Sequence, residues 1–484
     1  MSHPDAYHQH RWRILAILGI AQLMVVLDAT IVNIALPSAQ QALHFTNDNR
    51  QWIITAYSLA FGSMLLLGGK LGDLFGRKWT FIAGLSGFAL ASAAGGAAQS
   101  FGMLAGARAL QGAFGALLAP SALSLLTTTF PDSAERNKAF GVFGAIAGSG
   151  ASIGLLLGGA LTQSLSWRAV MYVNLVFAAV AVAGALALLR NQPPARKPKL
   201  DITGALTISA GLFALVFGFS HAQTSGWGNE LTIGMLAAGV MLIALFAGLE
   251  RRSEHPLLPL HVVTDRNRGA SFLSLGISGA AMFGVFLFLT YYLQQTRGLS
   301  PITTGLAFLP MTATVMVTAV TATTKLRARF GPRLLVSLGM VLGALGMASL
   351  TQIDVHSSYA SAILPGLLVM GVGLGLVIST ALNTATLGVR PADSGVASAT
   401  VNASQQVGGS LGTALLSTLV ASAATSFLGG ARPTSALIAE AAVHGYTTGF
   451  AWAAAIFAAG AVVAVTLYEP GLQQTESAGE PVLA

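Results

Sequence analysis

The sequence contains no cysteine and few charged residues. The absence of cysteine excludes disulfides, thiolate metal sites and cysteine nucleophiles. Asp, Glu, Lys and Arg make up 9% of the 484 residues, whereas a typical soluble domain carries about a quarter. Hydrophobic residues make up 54%, and a soluble core cannot bury so much apolar sequence at so low a charge density. The composition therefore favours a chain that crosses a membrane over a multidomain soluble protein.

Long apolar runs recur along the whole chain. A helix needs about 20 such residues to span the hydrocarbon core of a bilayer. Fourteen runs approach or exceed this length: 14–36, 51–71, 79–98, 102–125, 139–162, 169–189, 201–221, 231–249, 270–293, 303–324, 333–350, 361–383, 403–425 and 446–468. The sequence therefore predicts an all-α polytopic membrane protein with fourteen transmembrane helices.

Lys and Arg fall mainly on one side of these predicted helices. If the N-terminus is cytoplasmic, twenty of the 25 basic residues lie in cytoplasmic segments, four lie outside and Arg108 lies within a helix. Cytoplasmic loops of membrane proteins carry this excess. We therefore expect both termini in the cytoplasm and an even number of crossings. The net charge of +8 reflects this topology, so we expect no nucleic-acid partner.

A short basic motif occurs twice. GKLGDLFGRK at 69–78 follows the second predicted helix, and KLRARFGPR at 325–333 follows the tenth. Two parallel six-helix halves with a repeat at matching positions are typical of transporters that rock. The predicted organisation is a cytoplasmic N-terminal tail at 1–13, a six-helix bundle at 14–190, an inserted helix pair with linkers at 191–265, a second six-helix bundle at 266–468 and a cytoplasmic tail at 469–484.

Asp28 is the one acidic residue that lies well inside a predicted helix. Charge within a membrane is expensive and by default functional, although a structural Asp satisfied by neighbouring helices is the alternative. At 1.5 Å per residue, Asp28 and Arg108 lie at nearly the same depth in the outer half of the bilayer. Burial favours a neutral carboxyl and a guanidinium favours an ionised one. We therefore expect the two side chains to pair and to couple transport to protons.

Two glycine-containing motifs predict close helix contacts. The first is the loop motif at 69–78, where a carboxylate near a helix N-terminus is stabilised by the helix dipole. Contacts made there could form a conformational latch. The alternative is that the basic residues of the motif serve only to set the membrane topology. Its members are Gly69, Asp73, Gly76, Arg77 and Lys78. The second, GSGASIGLLLGG at 148–159, lies inside an apolar run and follows no strand, so it predicts a packing face rather than a nucleotide loop. Its members are Gly150, Gly154, Gly158 and Gly159.

Polar, aromatic and methionine residues within the predicted helices are candidates for a substrate cavity. Aromatic and Met side chains suit adaptable hydrophobic ligands, although several could face lipid instead. The candidates are Gln22, Asn33, Trp52, Tyr57, Gln111, Met282, Phe283, Phe286, Tyr291, Asn402 and Gln405. The sequence shows no metal cluster, and one buried acid with one buried base is too little for a hydrolytic site. We therefore expect no enzyme activity, no metal and no cofactor other than the proton as coupling ion.

These motifs resemble those of the major facilitator superfamily, within it the fourteen-helix drug:proton antiporters. LDATIVNIALP at 27–37 is similar to the family's helix-1 motif, whose Asp is implicated in proton coupling. Segment 69–78 resembles the superfamily's loop signature, and RALQGAFG at 108–115 resembles the helix-4 motif, whose Arg is tied to proton transfer. WRAVMYVN at 167–174 and the stretch 298–310 add to the resemblance. One departure is that Leu155 stands where the exporter motif carries Pro.

The resemblance implies a proton-coupled secondary transporter that exports small hydrophobic or amphipathic compounds by alternating access. A proton-coupled importer with the same fold is the closest alternative, and a membrane-bound enzyme or sensor is a more distant one. We expect a small-molecule substrate, a location in the inner or plasma membrane and a functional monomer.

Overall fold

The computed structural model describes residues 5–45, 47–190, 201–253, 256–390, 393–429 and 434–471. Across these residues the regular structure is helical, and they include no strand. The α-helices are α1 (Asp5–Leu43), α2 (Asn47–Phe75), α3 (Arg77–Gly96), α4 (Phe101–Thr129), α5 (Ser133–Ser164), α6 (Trp167–Leu188), α7 (Ile202–Ser225), α8 (Glu230–Glu250), α9 (Leu260–Thr264), α10 (Arg266–Gly284), α11 (Pro301–Thr321), α12 (Arg327–Leu350), α13 (Leu364–Thr386), α14 (Ser394–Leu428) and α15 (Ser435–Leu467).

The predicted tails and linkers fall partly outside the described residues. Residues 1–4, 191–200 and 472–484 lie outside them. Of the predicted N-terminal tail, residues 5–13 are the first turns of α1. Arg11 there forms an ion pair with Glu135 on α5, so this part of the chain packs onto the bundle.

Wide π-helical turns extend three of the long helices. α10 continues through Val285–Leu289 and Tyr292–Thr296, α11 continues through Ala322–Leu326, and Tyr359–Ile363 precedes α13. Such turns leave a helix locally underwound and are frequent at functional sites. They extend α10 and α11 to the lengths expected for the ninth and tenth predicted helices.

When the π-helical turns are counted with the helices that they extend, each predicted apolar run matches one long helix. The run either lies inside that helix or differs from it by at most two residues at either end. By length and composition alone, twelve stretches of the described residues are long and apolar enough to cross a membrane. One of them, Ile302–Leu350, is 49 residues long and holds both α11 and α12; at 1.5 Å per residue it would span about 74 Å. Helix α5 is not among the twelve, because several of its side chains lie outside the described residues. The architecture is that of a polytopic helical membrane protein, and the count of fourteen crossings stays a prediction.

The long helices pack as two groups that meet along two seams. Helices α1–α6 contact one another, as do α10–α15. Between the groups, α5 packs against α11 and α13, and α14 packs against α2 and α4. Helix α4 therefore lies at one seam, and α1 packs against α4 and α5, which lie at the two seams.

The two copies of the basic motif share a backbone feature. Gly76 has φ 91° and Gly331 has φ 67°, in the left-handed region that glycine adopts without strain. Gly76 ends α2 and begins α3, and Gly331 interrupts α12 shortly after its start. Both glycines thus turn the chain at the same point of the sequence repeat. We call the end of the bundle that carries these two motifs the basic end, and the other the opposite end.

The inserted helix α7 lies across the seam between α2 and α14. It packs against both of these helices, whereas α8 packs along α7. Near the opposite end the Thr55 and Ser220 hydroxyls are 2.8 Å apart, joining α2 to α7. The Trp227 indole N–H, just beyond α7, donates to Thr418 Oγ1 on α14 at 3.0 Å. The inserted pair therefore bridges the two halves on one side of the bundle.

Candidate functional site

Asp28 lies in the middle of α1, in a run of apolar residues that forms the helix and faces its neighbours. Its side chain is 0% exposed. An ionised carboxylate buried in this way is tolerated only where charged or polar partners satisfy it. The partners come from three helices, α3, α4 and α6, directly or through one intermediate side chain.

Arg108 on α4 is the ionic partner of Asp28. Its Nη1 donates to Asp28 Oδ2 at 2.5 Å and to Gln111 Oε1 at 2.9 Å. Its Nε donates to the backbone carbonyl of Ile53 on α2 at 3.4 Å, and its guanidinium lies 4.4 Å from the centre of the Tyr57 ring. Arg108 is 1% exposed, so this charge is balanced inside the protein, by a carboxylate and an aromatic face.

The second oxygen of Asp28 is held by two amides. Asn174 Nδ2 on α6 donates to Asp28 Oδ1 at 2.7 Å, and Gln111 Nε2 donates to the same oxygen at 3.1 Å. Each of these amide nitrogens also donates to Ser92 Oγ on α3, both at 2.8 Å. The carboxylate therefore accepts three hydrogen bonds, and the described donors around it suit its ionised form.

The structure brings together the predicted pair Asp28 and Arg108, with Gln111 and Tyr57 from the cavity candidates. Ser92 and Asn174 complete the cluster, and sequence reasoning gave neither of them a role. Asn174 could have been found by the depth argument. It lies seven residues after the first residue of α6, just as Arg108 lies seven residues after the first residue of α4, and both helices start at the opposite end. Ser92 gave no signal, because serines are common inside these helices.

The loop motif lies at the basic end, where α2 meets the first turn of α14. Arg77 Nη2 lies 3.5 Å from Asp73 Oδ1. A methyl group placed on Gly395 of α14 would lie 2.7 Å from Asp73 Oδ2, and one placed on Gly69 would lie 2.6 Å from the Gly395 carbonyl. Only glycine at both positions allows this approach. Lys78 instead donates to the carbonyl of Leu189, at 2.6 Å, at the end of α6.

The glycine face of α5 packs against α1 beside Asp28. A methyl group on Gly150 would lie 2.5 Å from Val26 Cγ1, and one on Gly158 would lie 2.7 Å from Ile31 Cγ1. One on Gly154 would overlap the Thr30 side chain, and Gly159 is buried next to this face. The predicted packing face is therefore present, and its partner is the helix that carries the buried acid.

A small cavity lies between the two helical groups. Its lining is apolar apart from three amide side chains. The lining residues are Gln22, Ala119, Leu123, Phe143, Leu382, Val401, Asn402 and Gln405. Gln22, Asn402 and Gln405 were cavity candidates from the sequence, and they come from α1 and α14. The cavity therefore draws its polar groups from both halves of the molecule.

The other cavity candidates lie elsewhere. Trp52 is 43% exposed and packs against Phe217 of α7, with ring centres 6.0 Å apart. Tyr291 is 40% exposed near the opposite end of the bundle. Met282 and Phe286 are partly buried in the core of the second half. The side chains of Asn33 and Phe283 lie outside the described residues.

Among the described residues no group of three His, Asp or Glu side chains is placed to hold a metal ion. The buried cluster around Asp28 consists of a carboxylate, a guanidinium, two amides, a hydroxyl and a phenol ring. These groups can form hydrogen bonds, and the carboxylate can gain or lose a proton.

The comparison with protein families identifies the chain's relatives. The family model described as the Major Facilitator Superfamily matches residues 18–413, which is more than half of the chain. The chain belongs to the Major Facilitator Superfamily. Its members are membrane transporters rather than enzymes, as the sequence predicted.

Individual relatives cover most of the chain. It is 45% identical over 472 residues to the puromycin resistance protein pur8 of Streptomyces alboniger, covering 97% of this chain and 93% of that protein. It is 36% identical over 412 residues to the tetracenomycin C resistance and export protein of Streptomyces glaucescens, covering 85% and 76%. It is 33% identical over 415 residues to the lincomycin resistance protein of Streptomyces lincolnensis, covering 85% and 84%.

Among solved structures, the human organic anion transporter MFSD10 (TETRAN) superposes with a TM-score of 0.63 at 15% identity, covering 94% of this chain and 99% of that chain. This likeness confirms the predicted major-facilitator fold. As a membrane transporter of this superfamily, the protein lies in a bilayer and acts on small molecules.

Proposed function

We propose that this transporter exports small hydrophobic or amphipathic compounds, including antibiotics, in exchange for protons that enter the cell. Relatives named for resistance or export, at 33–45% identity, support export over import. The observation that supports the proton coupling is the buried contact between Asp28 and Arg108. A carboxyl group can take up and release a proton, whereas a guanidinium keeps its protons in proteins.

In the proposed cycle Asp28 carries the proton. Arg108 balances the charge of Asp28 until the proton takes its place. An ionised Asp28 holds Arg108, whereas a protonated Asp28 offers Arg108 no negative charge. Release of Arg108 from the acid would alter the contact between α1 and α4, and thereby favour one of the two access states. Proton and substrate drive the cycle only if each binds the two states with different affinity.

The conformation described is closed at the basic end. Asp73 and Gly69 on α2 lie against Gly395 on α14, and the hydroxyls of Ser124 on α4 and Ser394 on α14 are 2.8 Å apart. If the basic end is cytoplasmic, this is the state in which a substrate cannot return to the cytoplasm. In our proposal both termini are cytoplasmic, the protein resides in the inner or plasma membrane, and one copy suffices for transport.

The proposed substrate site is the cavity between the halves. Its apolar walls suit a hydrophobic body, and Gln22, Asn402 and Gln405 can donate to or accept from polar groups of a ligand. No charged side chain lines it in the described part of the chain. A compound with an apolar body and an uncharged hydrogen-bonding edge fits this lining.

A susceptibility panel tests the proposal. Cells expressing the wild-type chain are compared with cells expressing Asp28→Asn and with cells expressing Glu230→Gln, which alters an exposed acid on α8. We expect resistance to some compounds with the wild type and Glu230→Gln, and loss of that resistance with Asp28→Asn at equal expression. Resistance that survives Asp28→Asn would overturn the coupling role, and absence of resistance to every compound would overturn export.

A further inference from the structure

We propose that Asn174 and Ser92 are positioning residues for Asp28, and that Asn174 responds to protonation of Asp28 by turning over its side-chain amide. This inference rests on the proton-carrying role proposed for Asp28. It assigns a function to two residues, on α6 and α3, that touch neither the cavity nor the guanidinium of Arg108 through any described hydrogen bond.

The direction of each hydrogen bond in the cluster follows from Ser92. Its hydroxyl donates to the backbone carbonyl of Met171 at 3.0 Å, which uses its single hydrogen. Ser92 Oγ therefore accepts from both Asn174 and Gln111. A hydroxyl has two acceptor positions, so Ser92 is fully used. Both amides then present N–H groups to Asp28.

Gln111 is fixed in this orientation by a second contact. Its Oε1 accepts from Arg108 Nη1 at 2.9 Å, and a guanidinium has no acceptor. Turning the Gln111 amide over would bring two donors face to face. Asn174 has no such restraint, because its Oδ1 is buried with no hydrogen-bond partner among the described residues. Asn174 is thus the member of the cluster that can reverse.

Protonation of Asp28 makes the present arrangement unfavourable. A carboxylic acid has a hydrogen to donate, yet Oδ2 faces Arg108 Nη1, and Oδ1 faces the amide nitrogens of Asn174 and Gln111. If the Asn174 amide turns over, its Oδ1 takes the place of Nδ2, 2.7 Å from Asp28 Oδ1, and accepts the new O–H. That separation is normal for an O–H···O bond.

The reversal leaves the rest of the cluster satisfied. Before the reversal the Asn174 oxygen has no hydrogen-bond partner among the described residues, and after it the Asn174 nitrogen has none. The free-energy cost of one buried, unpaired amide end is therefore similar in the two states. The Ser92 hydroxyl can rotate from Met171 to the incoming Asn174 oxygen. The proton that arrives at Asp28 stays there, and the hydrogen bond from Ser92 to the Met171 carbonyl is exchanged for one from Ser92 to Asn174. No covalent bond is made or broken apart from the O–H bond at Asp28, and Arg108 is left without its counter-charge.

Among the side chains that the structure describes, two ionisable groups face Asp28 from the helices packed around it, Arg108 of α4 and Tyr57 of α2. The Tyr57 ring lies under the guanidinium. The titratable residues of the other neighbouring helices lie at or near helix ends: Arg77 and Lys78 of α3, Glu135, Arg136 and Lys138 of α5, and Arg168 and Tyr172 of α6. A change in the pH response after substitution of Asn174 or Ser92 therefore reports on Asp28 and its immediate partners.

The test uses purified full-length protein in liposomes. Asn174→Leu keeps a side chain of similar size but removes a donor to the ionised carboxylate, which disfavours the ionised form. We expect the midpoint of the pH profile of transport to move by about one pH unit to the alkaline side, as loss of a hydrogen bond to a charged group implies. Infrared difference spectra between acid and alkaline samples should show a carboxyl band and an amide band in the wild type. Asn174→Leu should keep the first band and lose the second.

Two further variants separate the possible outcomes. Ser92→Ala should move the midpoint in the same direction by a smaller amount, and it carries the test if Asn174→Leu does not fold. Ser337→Ala, which alters a buried serine of α12 in the other half, should leave the profile unchanged. A wild-type midpoint in both folded Asn174→Leu and Ser92→Ala, or an amide band that is retained in Asn174→Leu, would overturn this inference. A pH profile that persists in Asp28→Asn would instead overturn the proposed proton site.

Discussion

Arg108 joins three elements with one side chain. Its Nη1 bonds Asp28 on α1 and Gln111 on its own helix, its Nε bonds the Ile53 carbonyl of α2, and its plane covers the Tyr57 ring. A planar, delocalised guanidinium can make these contacts together, whereas an ammonium is a point charge with three donors. Arg108 therefore holds α1, α2 and α4 together at this depth, in addition to balancing the charge of Asp28.

This difference predicts the result of a conservative substitution. Arg108→Lys should keep a positive charge near Asp28 but lose the contacts to Ile53 and Tyr57, and we expect proton-driven export to fall by more than about tenfold, equivalent to about 1.4 kcal/mol. Arg297→Lys is the matched control, since Arg297 is exposed and donates to the Val355 carbonyl. Initial transport rates in vesicles measure the effect. Equal rates for Arg108→Lys and the wild type would contradict this account of Arg108.

At the scale of residues, the sequence predicted the charged pair and offered Gln111 and Tyr57 only as cavity candidates, and it missed Ser92 and Asn174. Asp28 and Arg108 stand out because charge is rare inside an apolar run, and helix geometry gave them a common depth. Asn174 obeys the same arithmetic. Ser92 could not be found, because its importance comes from which neighbours reach its oxygen, and only the packed helices determine that.

At the scale of helices, the contact between α1 and α5 sets the position of the buried acid. The glycine face of α5 lets the backbone of α1 approach closely next to Asp28; a methyl group on Gly154 would lie 3.2 Å from the Leu27 carbonyl. Close packing of this kind stabilises helix pairs in membranes, where the hydrophobic effect between helices is absent.

Bulk added at that contact should separate the two helices. Gly154→Val should destabilise the protein by about 1–3 kcal/mol, as overpacking of a core does, and should weaken transport by displacing Asp28. Gly248→Val makes the same change on α8, where a methyl group would have no neighbour within 4 Å. Thermal unfolding of the purified variants measures the difference. A Tm for Gly154→Val equal to that of Gly248→Val would contradict the packing role.

Helix ends were less predictable from the sequence than helix centres. The run at 403–425 is the apolar part of α14, yet the helix begins at Ser394. Residues 394–402 are small or polar and mostly buried against neighbouring helices, so they need no lipid-compatible side chains. Hydropathy reports contact with lipid, and it underestimates helices that are enclosed by protein.

Across the whole molecule, alternating access requires the seam between α4 and α14 to open at the basic end. The hydroxyls of Ser124 and Ser394 face each other there at 2.8 Å, and the chain contains no cysteine. A pair of cysteines at these positions should therefore form a single disulfide. We expect oxidised Ser124→Cys/Ser394→Cys to stop transport and a thiol reductant to restore it, while each single variant transports in both conditions. Full transport by the cross-linked protein would contradict opening at this seam.

The most direct measurement of proton-coupled export through Asp28 is proton movement by purified protein in liposomes during substrate transport. The wild type should move protons against substrate, with a pH change inside the vesicles that follows addition of a compound from the susceptibility panel. Asp28→Asn should still bind that compound but give no pH change. A pH change of wild-type size in Asp28→Asn would contradict the account.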